Sequence, residues 1–306
     1  MRLLLPALLL VLACAPAIPD VKLQGPRSTV SGLPVMKPCA LYGEVKNRKQ
    51  YEATASFSFE PWHTGIGAVA FQRPDGWVLV DPPFGHTVSD DLKASPPWFG
   101  AIMGTGEGKE PTLGSLARMG INYRDVKYVL VTHAHWDHVG ALRDLTVSQI
   151  LLSKTELDWT ATLQKYLDHG VMKHHFAVHG DRYQPFTFDG PPYETFESSH
   201  DVFGDGTVIA VPLPGHTPGS TGYFLNSGDG KRWFLIGDAT WSYQGVTKPV
   251  HKMPLASAIV DFDKEQLSKT IGKLHAISIE RPDLFIIPAH DRDRMDALGA
   301  CQPQTK

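Results

Sequence analysis

Residues 133–138, with the sequence HAHWDH, carry three histidines and one aspartate directly after the β-branched run VKYVLVT. Imidazole nitrogens and carboxylate oxygens are ligands for zinc, and also for iron, cobalt or manganese. Leaving so many of these groups buried and unpaired in a core would be costly. They are also too many for one tetrahedral ion that keeps a position open for water. The stretch therefore predicts two metal ions, each completed by ligands from elsewhere in the chain.

Three later apolar runs each end in one further ligand-type residue. His216 lies in the turn PLPGHTPGS, Asp238 follows FLIG, and His290 follows FIIPA. Loops at strand ends are where a rigid scaffold presents its chemistry. We therefore expect these three side chains to complete the site.

The elements that must position these residues alternate between strands and helices. The runs ATASFSF, GAVAFQR and WVLVD are β-type, and TVIAVPL, STGYFL, RWFLIG and DLFIIP follow VKYVLVT as further strands. The triplet at 74–76 predicts a hairpin turn. Helices are predicted over 112–120 with Thr112 as cap, from the capping box at Ser153 to about Leu167, and after Asp263. This alternation favours an α/β (α+β) fold in which helices cover the sheets.

Other segments lie outside this pattern. Residues 18–50 are Pro-rich and polar and are interpreted as an N-terminal arm or linker, before a domain at 51–296 and a C-terminal tail at 297–306. Residues 82–111 hold many glycines and prolines among large apolar side chains. Long loops in compact domains are often functional, so we expect this one, over 84–110, to govern substrate preference. A plain irregular connection is the alternative.

The N-terminal stretch MRLLLPALLLVLACAPA has one arginine, an apolar run and then small residues. This pattern is typical of a secretory signal and is too short for a membrane-spanning helix. Residues 1–17 form the signal if cleavage follows Ala17, whereas a lipoprotein signal would end at Cys14 and anchor the chain to lipid. The stretch predicts export to the periplasm or the medium. A buried apolar arm is the alternative.

Composition restricts the partners. The 306 residues include 29 Lys and Arg against 32 Asp and Glu, a net charge of −3, without a long basic block, which argues against a nucleic-acid partner. The three cysteines include no CxxC pattern, so thiolate metal chemistry is not supported. Cys39 and Cys301 could pair in an oxidising compartment, or both could stay as free thiols.

The order of these motifs resembles the metallo-β-lactamase fold superfamily over most of residues 54–291. The resemblance implies an αββα sandwich, two mixed sheets flanked by helices, with metals at one edge. It implies two divalent ions, with zinc expected. It also implies how the ligands are divided: His133, His135 and His216 for the first ion, Asp137, His138 and His290 for the second, and Asp238 as the bridge.

Two ions about 3.5 to 4 Å apart can share a water and lower its pKa to near neutrality. The resulting bridging hydroxide is expected to attack an ester- or lactone-type carbonyl. Asp137 would orient this nucleophile while it binds its metal. Asp81, at the end of WVLVD, resembles the acidic residue near the site in this family, with a turn-forming aspartate as the alternative. The remaining histidines, among them His174, His175 and His251, are interpreted as surface residues.

The fold itself does not fix the substrate. The pattern is closest to N-acyl-homoserine lactonases, which also end in a His-Asp pair, here His290-Asp291. That family has a tyrosine three residues after the bridging aspartate to assist the carbonyl oxygen, whereas this chain has Trp241 there. Tyr243 is near but out of register, so either Tyr243 or the metals alone would activate the carbonyl.

The small-molecule substrate is therefore expected to be an apolar lactone or ester. Hydrolysis of a β-lactam amide is the second hypothesis and phosphotriester hydrolysis the third, with a glyoxalase-II-like thioesterase ranked last. A metal-binding protein without catalysis is the alternative outside the hydrolases.

Overall fold

The computed structural model describes residues 15–23, 32–104 and 106–301. Its strands are β1 Cys39–Lys49, β2 Pro61–Arg73, β3 Gly76–Val80, β4 Val126–Leu130, β5 Gln149–Ser153, β6 Leu167–Asp168, β7 Val171–Met172, β8 Tyr183–Phe186, β9 His200–Asp201, β10 Val208–Pro212, β11 Thr221–Asn226, β12 Arg232–Leu235 and β13 Leu284–Ile287. Its α-helices are α1 Gln50–Ala53, α2 Val88–Ala94, α3 Pro97–Met103, α4 Thr112–Arg118, α5 Trp136–Val139, α6 Lys154–Thr162, α7 Tyr243–Thr247, α8 Pro254–Val260, α9 Lys264–Glu280 and α10 Arg292–Asp296.

Two mixed sheets form the framework, as predicted. The first has the order β1-β2-β3-β4-β5-β8, antiparallel from β1 to β3 and parallel from β3 to β8. The second has the order β13-β12-β11-β10-β9 and is antiparallel except for the parallel pair β12 and β13. Because β3 and β4 are parallel, as are β12 and β13, the carboxyl ends within each pair lie at the same sheet edge.

The core has three apolar layers that follow the two-residue period of the strands. In β3, Val78 and Val80 face the core between the sheets, whereas Trp77 and Leu79 face the outer core of the first sheet. A third apolar cluster joins the outer face of the second sheet to α9. The layers confirm the αββα sandwich.

Helix α9 begins as its capping pattern predicts. The Asp263 carboxylate accepts hydrogen bonds from the backbone of Glu265 and Gln266, and one face of the helix buries Leu267, Ile271 and Leu274. Ser153 likewise caps α6, but that helix ends at Thr162, before the predicted Leu167. The prediction of Thr112 as cap is wrong, since Pro111 precedes α4 and Thr112 is its first residue.

Several predictions for the irregular segments are wrong. Residues 39–49, assigned to a linker, form β1 and pair with β2. Charged side chains such as Glu44 and Lys46 suit an edge strand but hide it from a hydrophobic pattern. Residues 54–60, expected as a strand, contain none. The expected loop at 82–111 holds helices α2 and α3.

Strand β1 and the C-terminal segment meet. Cys39 and Cys301 form a disulfide across a sequence separation of 262, and Ala300 bridges Ala40 on β1. The tail therefore joins the domain as far as Cys301, and its last residues lie outside the described part. Cys14 and the signal-type stretch before it also lie outside the described residues. Among the described helices, none combines the length and apolar character needed to cross a bilayer.

Candidate metal centre

All seven predicted ligand residues meet at one edge of the sandwich. They sit on the segments that leave the carboxyl ends of β4, β12 and β13 and on the turn between β10 and β11. The His133 ring centroid lies 4.7 Å from that of His135, 4.0 Å from that of His138 and 4.6 Å from that of His216. The predicted grouping at strand ends is thus observed in the structure.

The side chains fall into two groups that could each hold an ion. The ligand atoms of His133, His135 and His216 lie within 4.8 Å of one another, as do those of Asp137, His138 and His290. Asp238 lies between them: its Oδ1 is 3.4 Å from His138 Nε2, and its Oδ2 is 3.6 Å from His216 Nε2 and 3.2 Å from His290 Nε2. This is the position that a bridging carboxylate requires.

The hydrogen bonding leaves the metal-facing atoms free. Within the predicted ligand residues, five buried atoms have no hydrogen-bond partner among the described residues: Nε2 of His133, His135, His138 and His216, and Oδ1 of Asp238. Unpaired buried polar atoms are costly unless a ligand satisfies them. Their convergence is an independent sign that these residues fit divalent metal ions.

In four of the five ligand histidines, the other ring nitrogen, Nδ1, lies within hydrogen-bond distance of a neighbouring oxygen. Nδ1 lies 3.0 Å from Thr132 Oγ1 in His133, 3.0 Å from Asp81 Oδ2 in His138, 2.8 Å from Asp261 Oδ1 in His216 and 3.0 Å from the Gly65 carbonyl in His290. A proton on Nδ1 leaves the Nε2 lone pair available to a metal. These contacts therefore orient the rings as ligands.

The electrostatics favour neutral imidazoles on one side of the cluster. Burial lowers the pKa of His133 and His216 well below the usual range, and lowers that of His135 to about 3. Burial also acts to lower the pKa of His138, but the carboxylates of Asp238, Asp81 and Asp137 raise it to about 10. The carboxylates thus create a field that favours a cation on the His138 side.

Asp81 is a residue that orients ligands. Its carboxylate accepts hydrogen bonds from the Thr132 backbone at 2.8 Å and from Thr132 Oγ1 at 2.6 Å, and it contacts His138 Nδ1 at 3.0 Å. Its φ is 56°, an unfavourable value for a non-glycine residue that functional sites can retain. The structure therefore supports the acidic residue expected near the site.

Glu156 is a site residue that sequence reasoning missed. Its Oε1 accepts from the Ala134 backbone at 2.8 Å, and its Oε2 accepts from Thr217 Oγ1 at 2.9 Å and the Gly219 backbone at 2.8 Å. It therefore ties together the loops that carry His135 and His216. Its S-x-x-E context, which predicts a capping box, gave no sign of this second role.

A buried ion pair lies behind His216 and was also missed. Asp261 Oδ1 accepts from Lys252 Nζ at 2.7 Å and lies 2.8 Å from His216 Nδ1. The side chains of Lys252 and Asp261 are only 1% and 0% exposed, so the pair is fully removed from water. The contact spans loops that no local sequence pattern connects.

The structure places Trp241, rather than Tyr243, at the centre. The Trp241 indole N–H donates to Asp238 Oδ2 at 2.8 Å. The Tyr243 ring packs 4.1 Å from the Arg294 guanidinium and against the core under α9, and its backbone N–H donates to Asp291. The described residues that line the cavities beside the centre do not include Tyr243. The proposed carbonyl-activating role of Tyr243 therefore has no support.

Two cavities adjoin the ligands. The larger, of about 290 Å³, lies between α3 and α8 and is walled by apolar side chains that include Trp98, Ile102, Leu255 and Ile259. The smaller, of about 150 Å³, lies over β1 and β2. Asp137, Trp241 and His290 line both cavities, so a molecule that occupied both would pass the ligand cluster.

The prediction of His174, His175 and His251 as surface residues is wrong. His175 and His251 are buried, and His174 is half-buried. Nε2 of His174 and of His175 lie 2.7 and 3.0 Å from the Asp91 oxygens, to which Thr87 also donates. These are hydrogen-bond lengths. We therefore interpret this second His/Asp cluster as a link between α2 and the 173–176 turn.

Comparison with known proteins agrees with this geometry. The family model described as metallo-beta-lactamase superfamily matches residues 66–290. N-acyl homoserine lactonase AttM of Azorhizobium caulinodans is 25% identical over 236 residues, which cover 73% of this chain and 84% of the relative. A probable metallo-hydrolase of Mycobacterium tuberculosis is 25% identical over 231 residues, which cover 72% of this chain and 73% of the relative.

Solved structures share the fold at low identity. An N-acyl homoserine lactone hydrolase with N-hexanoyl-L-homoserine at its catalytic metal centre superposes with a TM-score of 0.63 at 18% identity, covering 87% of this chain and 97% of that one. The dizinc quorum-quenching lactonase AidC superposes with a TM-score of 0.57 at 14% identity, covering 85% and 88%.

Proposed function

Because this chain belongs to the metallo-β-lactamase superfamily, we propose that it opens lactone rings at a centre of two divalent ions, with zinc as the expected metal. The protein is a metal-dependent hydrolase; the number of ions and the lactone substrate are the proposal. The observation that carries it is the pair of buried ligand groups with unpaired Nε2 atoms, which meet at Asp238 through its contacts with His138, His216 and His290.

The ligands are assigned as follows. His133, His135 and His216 would hold one ion, Asp137, His138 and His290 would hold the other, and Asp238, which contacts residues of both groups, would be shared between them. When bound, such ions lower the pKa of water and polarise a carbonyl oxygen.

Asp137 is the carboxylate that would transfer the proton during opening of the lactone ring. Its carboxylate is 14% exposed and lines both cavities, and its Oδ2 lies 3.6 Å from His290 Nε2. Burial raises the pKa of its carboxyl, and its place beside both cavities would let it contact a water or a substrate there. We assign Asp137 to orient the attacking water, accept its proton and deliver a proton to the departing ring oxygen.

The cavity between α3 and α8 supports an acyl-lactone over a small polar lactone. Its apolar walls would bind an acyl chain whose carbonyl end reaches Asp137 and His290. The curated relative AttM is named an N-acyl homoserine lactonase, which agrees with this choice.

Hydrolysis of a β-lactam is the second candidate. Lys46 and Arg48 line the smaller cavity and could bind the ring carboxylate of such a substrate. Lys46 lies 2.9 Å from Glu44 and Arg48 lies 2.8 Å from Glu52, so both charges are already paired. Because these cations are already paired, they are less available to a substrate carboxylate, and we place the β-lactam below the lactone as a candidate substrate.

Initial rates on the metal-loaded protein test the proposal. We expect fast opening of N-decanoyl-homoserine lactone and a much slower rate on a chromogenic cephalosporin. We expect Asp238→Ala to lose most of the lactone activity and to bind one ion fewer than the wild type. A cephalosporin rate faster than the lactone rate would favour β-lactam hydrolysis as the function. No lactone rate above buffer would reject the lactone proposal and make a phosphotriester the next substrate. Full activity with two ions in Asp238→Ala would reject the bridge.

We also propose that the protein is exported and keeps its N-terminal arm as a lipoprotein modified at Cys14. The Pro16 carbonyl accepts from Ser268 Oγ at 3.3 Å, and Ile18 and Leu23 pack against the core under α9. A signal cleaved after Ala17 would remove the Pro16 contact, whereas cleavage before Cys14 would retain it. Mass spectrometry of the mature N-terminus decides: an acylated Cys14 supports the proposal, and a free Ile18 or an intact Met1 contradicts it.

A further inference from the structure

Trp241 is not one of the proposed metal ligands, but it forms a hydrogen bond with the bridging ligand Asp238. Its Nε1–H donates to Asp238 Oδ2 at 2.8 Å, while Asp238 Oδ1 has no hydrogen-bond partner among the described residues. The two oxygens of one carboxylate are therefore unequal. Oδ2 accepts the indole N–H and also lies 3.2 Å from His290 Nε2, whereas Oδ1 carries no hydrogen bond from the described residues.

The indole ring is fixed on several sides. Trp62 lies nearly parallel to it, with centroids 6.4 Å apart and an interplanar angle of 8°, and the His290 ring meets it edge-on at 6.1 Å. Lys252 Nζ lies 5.9 Å from the ring centroid. A ring held in this way cannot turn its N–H away without disturbing these neighbours, so the donor has a defined direction.

We propose that Trp241 is a positioning residue that fixes the rotamer of Asp238, so that its carboxylate is held between the two groups of metal-ligand residues. This inference rests on the proposed dinuclear function. It also bears on carbonyl activation: an N–H already bonded to Asp238 is not free to donate to the substrate. The ions, when bound, would therefore supply the activation of the carbonyl, and Trp241 acts through Asp238.

The test is ion binding by the metal-free protein. Trp241→Phe removes the N–H and keeps a flat ring, and Trp233→Phe makes the same change on β12, away from the centre. Replacing Trp241 by 3-benzothienylalanine provides a second variant, because it preserves the indole shape but has sulfur in place of N–H. The readouts are titration calorimetry with zinc and the visible absorption spectrum of the cobalt-loaded protein.

Both Trp241 variants should bind at least one ion about 10- to 100-fold more weakly, the usual effect of losing a group that orients a ligand. Their cobalt spectra should change, and Trp233→Phe should match the wild type in both readouts. Wild-type affinity and an unchanged spectrum in the benzothienyl variant would overturn the proposal.

Failure of the proposed function would be recognised separately. If the wild type binds zinc but opens no lactone, the substrate proposal fails, while the affinity difference still decides the role of Trp241. If it binds a single ion, the dinuclear assignment fails, and with it the proposal that Trp241 positions a bridging carboxylate.

Discussion

Gly170 sets the space available to the His135 ring. Its φ is 78°, and a Cβ there would lie 2.8 Å from His135 Cδ2 and 2.9 Å from Nε2, the metal-facing atom. We expect Gly170→Ala to lose about 1–2 kcal/mol of folding free energy through backbone strain and, in addition, to weaken ion binding. Urea unfolding and zinc titration measure the two effects.

Gly230 is the matched control for this change. Its φ is 83°, but a Cβ there has no neighbour within 4 Å. Gly230→Ala should carry a similar backbone cost and leave ion affinity at the wild-type value. Equal ion affinities in the two variants would show that the His135 contact is unimportant.

Lys252 is expected to matter for stability because its partner cannot reach water. Lys252→Met leaves the buried Asp261 carboxylate without its cation, which should cost about 3–5 kcal/mol. Adding Asp261→Asn removes the uncompensated charge, so the double variant should lose less than the sum of the single losses. Denaturant midpoints give the three values, and simple additivity would contradict the coupling.

At the scale of elements, helices α3 and α8 form the walls of the larger cavity. Ile259→Trp on α8 should fill space that a long acyl chain would occupy. We expect kcat/KM for the decanoyl lactone to fall at least tenfold, about 1.4 kcal/mol, with little change for the butanoyl lactone. Ile279→Trp, at a side chain on α9 that is 65% exposed, serves as control. Equal losses on both lactones would contradict this use of the cavity.

The link between α2 and the 173–176 turn should make the free energy of unfolding depend on pH. Burial lowers the pKa of His175 from 6.5, so below about pH 6.5 the unfolded chain binds a proton that the folded chain does not. Stability linked to this group is therefore complete above pH 6.5 and is lost as the pH falls. His175→Gln should flatten the slope of unfolding free energy between pH 6.5 and 5. Parallel slopes in the variant and the wild type would oppose this prediction.

For the whole molecule, the disulfide closes a loop across a sequence separation of 262. Constraining so long a loop in the unfolded chain stabilises the folded state by about 2–5 kcal/mol. The double variant Cys39→Ser with Cys301→Ser should show that loss in denaturant unfolding. Ion affinity should stay unchanged, because the bond ties β1 to the C-terminal segment and makes no contact with the ligands. An unchanged midpoint would contradict the stabilising role.

The ligands could be derived from the chain alone because their signals are local. Four of them lie within six residues, and Asp238 and His290 directly follow apolar runs whose strands form as predicted. Apolar periodicity also predicted the alternating elements, since burying that pattern dominates folding. The family resemblance then supplied the arrangement of the two sheets and the division of the ligands.

Folding was needed to find the groups that orient those ligands. Glu156 acts on Ala134 and Gly219, Asp261 acts on His216, and these contacts cross from one loop to another. Short-range patterns cannot report such contacts, because a hydrogen bond depends on distance in space and not on separation along the chain. For the same reason, only the folded chain showed that β1 is an edge strand and that the two cysteines are paired. It also showed that Trp241 contacts Asp238, whereas Tyr243 packs against Arg294.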